Sequence, residues 1–168
     1  PTAPTSNLRT CLPLALSAFL AQDYPRKKLV VVDDGTDAVS DLLCGLECVR
    51  YSRLPARTTI GRKRNLACDA DRGRIVAHWD DDDWHGSGRL RHQVRPLLAG
   101  EADVFGLEDS FELDLGAGEF WRTEPALHQR MFVGNVHGGT QVYWKGLFDE
   151  GIRYPDGNLA EDAGFLRQ

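Results

Sequence analysis

The run Ile75–Trp84, IVAHWDDDDW, places the tightest limit on what this chain can fold into. Its apolar start reads as a buried strand, and four adjacent aspartates stop it. Like charges on neighbouring residues repel, so a folded chain tolerates them only where donors or a cation compensate. A second run, KKLVVVDDG (Lys27–Gly35), behaves the same way and closes on Asp33 and Asp34. Its continuous β-branched character is that of a strand covered on both faces.

Helical patterns fall between these strands. Leu12, Leu16, Phe19 and Leu20 share one helix face, Pro13 suits a first turn, and the helix ends near Gln22–Pro25. A short helix is expected over Asp37–Leu46, a strand over Cys48–Leu54, and a helix over Ile60–Asp71 stopped by Gly73. A strand at Arg74–Trp79 follows, then a helix carrying Leu90, Val94, Leu97 and Leu98 and ended by Gly100. Ala102–Leu107 reads as a further strand. Strands alternating with helices predict an α/β domain with a mainly parallel sheet. From Glu108 to Tyr143, short β-like pieces (Phe111–Leu115, Glu119–Thr123, Thr140–Trp144) predict a small antiparallel addition or loops. Asn158 and Glu161 have capping-box spacing, with Leu159, Ala163 and Leu166 as the apolar face of a last helix. Both ends read as cut: little precedes the first helix to form a strand, and Gln168 falls inside the last helix.

The 168 residues suit a single domain, 1–168. A net charge of −5 argues against bulk attraction to nucleic acid or an anionic membrane. No stretch has transmembrane length, and no signal peptide is recognisable. Cys11, Cys44, Cys48 and Cys68 form no C-x-x-C pair and have no histidine at zinc spacing. They read as small buried thiols, which favours a reducing cytoplasm.

In open parallel sheets, ligands bind beyond the carboxyl ends of the strands, where both acidic runs fall. A divalent hard cation with oxygen ligands would relieve Asp80–Asp83. The segment TIGRKRN (Thr59–Asn65) opens a helix, and Lys63 and Arg64 there suit a phosphate. Glu161 has the cap to serve, whereas Asp162 reads either as a salt-bridge partner or as a base. His85, His92 and His128 are expected on the surface or in loops, and His78 in the core. His137 lies in a glycine-rich segment that can line a pocket. Trp84 reads as a packing anchor or a stacking surface for a sugar.

Three stretches in this order resemble the family 2 glycosyltransferases with the GT-A fold: SAFLAQDYPRKKLVVVDDGTD (Ser17–Asp37), TIGRKRNLACDADRGRIVAHWDDDDW (Thr59–Trp84) and LAEDAGFLR (Leu159–Arg167). The resemblance implies a nucleotide-sugar donor, Mn²⁺ or Mg²⁺, and inversion at the anomeric carbon. It implies that Asp34 binds the base, Asp82 the metal and diphosphate, and Asp80 or Asp81 the ribose and donor sugar. In the Asp-x-Asp motif Asp80 and Asp82 take the named places, with a register that can slip by one. Asp162 matches the general base, and His137, Gly138 and Gly139 match a loop near donor sugar and acceptor. The acceptor would be a glycan, a lipid-linked molecule or a protein, in polysaccharide or glycoconjugate synthesis, with the enzyme cytoplasmic and sometimes peripheral to a membrane. The family's opening strand and the region after its last helix are expected to be missing here, and the processive Gln-x-x-Arg-Trp motif is absent. Two rivals fit worse. A dehalogenase-type phosphatase needs a nucleophile where Val32 stands, and a receiver domain has no helix before its first acidic strand. A non-catalytic nucleotide- or carbohydrate-binding module is the main alternative.

Overall fold

β2 (Leu29–Asp33) is buried along its whole length and organises the sheet. The computed structural model describes residues 1–168. In it β1 (Thr2–Thr5) and β3 (Val49–Arg53) flank β2 in parallel, with Ala3 opposite Val31 and Val31 opposite Tyr51. A parallel bridge between Thr2 and His78 joins this layer to β4 (Ile75–Ala77). The opening strand expected to be missing is therefore present. Four residues, TAPT, suffice because the Thr2 carbonyl also accepts from Trp79 N at 3.1 Å.

Beyond β4 the order continues through β8 (Val142–Trp144) to β5 (Val104–Phe105), with β8 antiparallel to both. The segment Thr140–Trp144 thus enters the main sheet instead of forming an appendage. The parallel neighbour expected for β5 is replaced by this inserted strand. The antiparallel addition is the hairpin β6 (Phe111–Asp114) and β7 (Glu119–Arg122).

Side-chain alternation along β2 explains why both faces are apolar. Leu29 and Val31 pack with Leu12, Leu16 and Phe19 of α1 (Leu12–Leu20) and with Leu90, Val94 and Leu97 of α3 (Arg89–Leu98). Val30 and Val32 face Ala67 of α2 (Ile60–Ala70). A further cluster of Cys68, Val76, Tyr143, Phe148, Tyr154 and Phe165 ties α2 to α5 (Lys145–Asp149) and α6 (Glu161–Leu166). The one remaining helix, α4 (Pro125–Met131), buries only His128.

Two local expectations change. Asp37–Leu46 forms only a 3₁₀ turn at Ser40–Leu43. The capping box at α6 does not form. Ala160 holds the cap position at φ 56°, and Asn158 Oδ1 instead accepts from Ile60 N of α2 at 3.0 Å. Leu159 is 90% exposed, so Phe165 supplies the buried apolar side chain of α6. Asn158 thus satisfies one of the free N–H groups that open α2 instead of one at α6.

Candidate active site

The carboxyl ends of β1, β2 and β4 converge on the N-terminal ends of α2 and α6. Asp33 and Asp34, adjacent in sequence, take different duties. Asp33 accepts from Gly35 N at 2.8 Å and from Tyr51 Oη at 2.7 Å, and pairs with Arg53 at 2.5 Å. It holds the turn. Asp34 accepts from Thr58 N at 2.9 Å and from Lys63 Nζ at 3.0 Å. Burial alone would raise both acids, but these donors hold both below the ordinary carboxylate value.

Lys63, expected at a phosphate, is buried and already committed to Asp34 and to the Thr5 carbonyl at 3.1 Å. Arg64 is also buried. Its Nε donates to Glu161 Oε1 at 3.1 Å and its Nη2 to Asp80 Oδ1 at 3.2 Å, while Nη1 has no partner. Glu161, read as a cap, is therefore the ion-pair partner that couples α6 to the aspartate run.

The four aspartates diverge. Asp80 stands against Arg64. Asp81 is buried, with Oδ2 unpartnered, and is pushed up to about 6 by burial and by the charges of Asp82 and Asp80. Asp82 is exposed. Asp83 is likewise pushed up to about 6, by burial and by Asp80 and Asp82. The Thr5 and Ser6 hydroxyls lie beside Asp81 and Asp34, near enough to favour their charged forms. Neither closes a full hydrogen bond, so Thr5 Oγ1 and Ser6 Oγ remain buried and unpartnered. A pocket of unsatisfied polar atoms at the end of β1 is suited to a polar ligand.

Gly138 and Gly139 sit between the two acidic motifs. A methyl group at Gly138 would run into the Asp162 carboxylate. One at Gly139 would lie 2.6 Å from Asp80 Oδ2 and 3.2 Å from Asp83 Oδ2. Asp162 Oδ1 accepts from Ala163 N at 2.8 Å. His137 is half-buried beside these acids, and burial lowers its pKa, which favours the neutral ring. The structure thus brings Asp80, Asp83, Asp162 and His137 around one bare stretch of backbone.

Sequence reading missed Arg89. It is buried over the Trp79 ring at 5.1 Å, and its Nη2 donates to the His78 carbonyl at 2.8 Å and to the Gly139 carbonyl at 3.2 Å. It therefore ties the glycine pair to β4. Its spacing of four from Gln93 was the available signal, since Nε donates to Gln93 Oε1 at 2.7 Å. His85 and His128, expected on the surface or in loops, are both buried, His85 in a loop and His128 on α4. Arg89 Nη1 lies 2.9 Å from His85 Nε2, and burial with that positive charge pushes His85 down to about 3. His78 is in the core as expected, bonded to the Gly138 carbonyl and the Tyr154 hydroxyl, each at 2.6 Å. Trp84 is 72% exposed and anchors nothing. Of the cysteines, expected to be buried, only Cys68 is, and Cys44 is exposed.

No three acids, histidines or cysteines form a closed metal cage. The donor set nevertheless fits a hard dication. Asp82 is exposed two residues from Asp80, and the buried Asp81 Oδ2 has no donor. Ions such as Mg²⁺ are commonly held by one or two carboxylates plus substrate phosphates. A cavity of about 960 Å³ lies away from this chemistry, among Lys28, Arg50, Arg74 and Trp144.

The model for the family described as "Glycosyl transferase family 2" matches residues 3–141. No curated protein matches. Among solved structures, S. aureus TarS 1-349 superposes with a TM-score of 0.77 at 20% identity, over 99% of this chain and 53% of that one. Its complex with UDP-GlcNAc gives 0.78 at 20% identity, over 99% and 51%. The Pyrobaculum calidifontis mannosyltransferase PcManGT, in complex with GDP-Man and Mn²⁺, gives 0.75 at 19% identity, over 96% and 48%. The likeness establishes the GT-A-like fold, and the chain spans about half the length of each of these proteins.

Proposed function

The chain belongs to glycosyl transferase family 2, and from that premise we propose that it moves a sugar from a nucleoside-diphosphate sugar to an acceptor hydroxyl, with inversion and with Mn²⁺ or Mg²⁺. The observation that carries this reading is the Gly138–Gly139 step, with Asp162 against one glycine and Asp80 and Asp83 against the next. A base against one glycine and leaving-group acids against the next is the pairing of roles a direct displacement requires. The ligands of the structural neighbours, UDP-GlcNAc on S. aureus TarS and GDP-Man with Mn²⁺ on PcManGT, support the donor class.

Asp34, held rigid by Lys63, offers a carboxylate to the base. Asp81, Thr5 and Ser6 supply unpartnered polar atoms for the ribose. Asp82 and Asp80 would hold the metal, which supplies charge neutralisation for the departing diphosphate. Arg64 contributes a buried positive charge behind Asp80. Asp162 takes the proton of the acceptor hydroxyl as that oxygen attacks the anomeric carbon. The acceptor class is a glycan, a lipid-linked molecule or a protein hydroxyl, in glycoconjugate or polysaccharide synthesis. No helix is long and apolar enough to cross a membrane.

The test pairs two variants. Asp82→Ala is expected to abolish Mn²⁺-dependent nucleotide binding in calorimetry, and unchanged affinity would remove Asp82 as ligand. Asp162→Asn is expected to bind donor normally while transfer falls by about 10²–10⁴-fold. Turnover equal to that of the unmodified chain would remove Asp162 as the base.

A further inference from the structure

A histidine with no role in the scheme above lies beside it. His128 is fully buried, although every other residue of α4 is exposed. Its protonation pattern follows from its neighbours. The Glu108 carboxylate only accepts, so the Asn135 atom 2.7 Å from Glu108 Oε2 is the amide nitrogen. That orientation turns Asn135 Oδ1 toward His128 Nδ1, also at 2.7 Å. An amide oxygen only accepts, so Nδ1 carries the hydrogen. In the neutral ring Nε2 is then a bare lone pair, and it is buried without a partner.

A buried acceptor left open in an otherwise satisfied Glu108–Asn135–His128 chain calls for an explanation. The surroundings point to its ligand. Phe132 packs against His128 at 4.5 Å and against His137 at 4.6 Å, and the two imidazoles are 6.3 Å apart. His137 Nδ1 is also buried and unpartnered, and a methyl group on Gly139 would lie 3.5 Å from the His137 ring. The cluster therefore adjoins the glycine pair. A lone pair repels an anionic group, and no third ligand is grouped for a metal. What fits is an O–H donor carried on a body that packs against rings, which is the chemistry of a saccharide.

We propose that His128, oriented by Asn135 and Glu108, is a sugar-recognition residue whose Nε2 accepts a hydroxyl hydrogen from a saccharide bound beside Gly138 and Gly139. This rests on the glycosyl-transfer reading and adds a specificity residue to it. The hydroxyl belongs either to the donor sugar or to the acceptor, and one experiment separates them.

Nitrogen-15 NMR of the imidazole rings is recorded on the free protein. Spectra then follow in Mg²⁺, which does not broaden the signals, with UDP, GDP, UDP-GlcNAc and GDP-mannose, and with a panel of methyl glycosides. The free protein is expected to show His128 protonated at Nδ1. A shift of the Nε2 signal with a nucleotide-sugar, but not with its nucleotide, assigns the donor. A shift with a methyl glycoside assigns the acceptor. His128→Phe keeps the ring packing and is expected to bind UDP and GDP unchanged. It should lose about tenfold in affinity for the saccharide that moved the signal, as for one hydrogen bond. The opposite tautomer overturns the proposal. So does nucleotide binding with an Nε2 signal that no saccharide moves, and in that case the glycosyl-transfer reading stands. If no nucleotide or nucleotide-sugar binds, with or without Mn²⁺, the glycosyl-transfer reading falls and takes this one with it.

Discussion

Removing the Arg64 guanidinium is expected to unfold the link between the two acidic motifs. Arg64 bonds Glu161 at 3.1 Å and Asp80 at 3.2 Å, with its own side chain 6% exposed and those partners 9% and 25% exposed. Arg64→Met fills much of the volume but leaves two carboxylates without their cation. Breaking a buried pair from one side costs about 3–5 kcal/mol. Asp80 is the better screened of the two, so the lower half of that range is expected at pH 7. The pH dependence supplies a second check. Burial would raise Asp80, but Arg64 brings it below its ordinary 3.8. The stability this shift contributes is thus fully present above 3.8 and is lost as pH falls through the lower folded value. The difference between the two proteins should accordingly narrow below pH 3.8. Urea unfolding, followed by fluorescence of the buried Trp79, measures both. A loss below about 1 kcal/mol at pH 7 would refute the reasoning, since that is the scale of a surface pair. An equal loss at pH 3 would do so too.

Three further outcomes follow from the same geometry. Asp81→Asn should stabilise the metal-free protein at pH 7 by about 1–3 kcal/mol, because a buried acid pushed up to about 6 loses stability as pH rises from 3.8 to that value. At pH 4 the gain should vanish, and thermal melts at the two pH values decide it. Gly139→Ala places a methyl 2.6 Å from Asp80 Oδ2, so transfer should drop at least tenfold while the melting temperature changes little; normal turnover would argue against a reaction centre at the glycine pair. Arg89→Lys cannot span the His78 and Gly139 carbonyls together with Gln93 and His85, and its stability should fall by about 1–3 kcal/mol in urea unfolding.

The candidate site was partly legible in the chain. Asp34, Asp80 and Asp162 were marked by position, since each follows an apolar run or opens a helix, and the structure brings the latter two to the same glycine pair. Lys63 and Arg64 are marked for the same reason, and the fold gives them carboxylate partners that spacing does not reveal. A basic residue at a helix start looks alike whether it meets a phosphate or, as Arg64 does, a glutamate 97 residues away. The histidines were harder still. Nothing local distinguishes exposed His92 from buried His128, whose environment comes from Asn135 and Phe132.

Local periodicity and charge were enough to determine the α/β alternation, the double-sided burial of β2 and the placement of acids at strand ends. Those properties depend on neighbours within a few residues, and an apolar run has few ways to escape water. Tertiary structure alone decided which aspartate is offset by Arg64 and that β8 lies between β4 and β5. It also turned Glu161 from a helix cap into an ion-pair partner, and assigned Arg89 to hold the glycine pair. Each of these pairings joins segments far apart in the chain. Their energy comes from desolvated charges and shared hydrogen bonds that exist only once the sheet has closed.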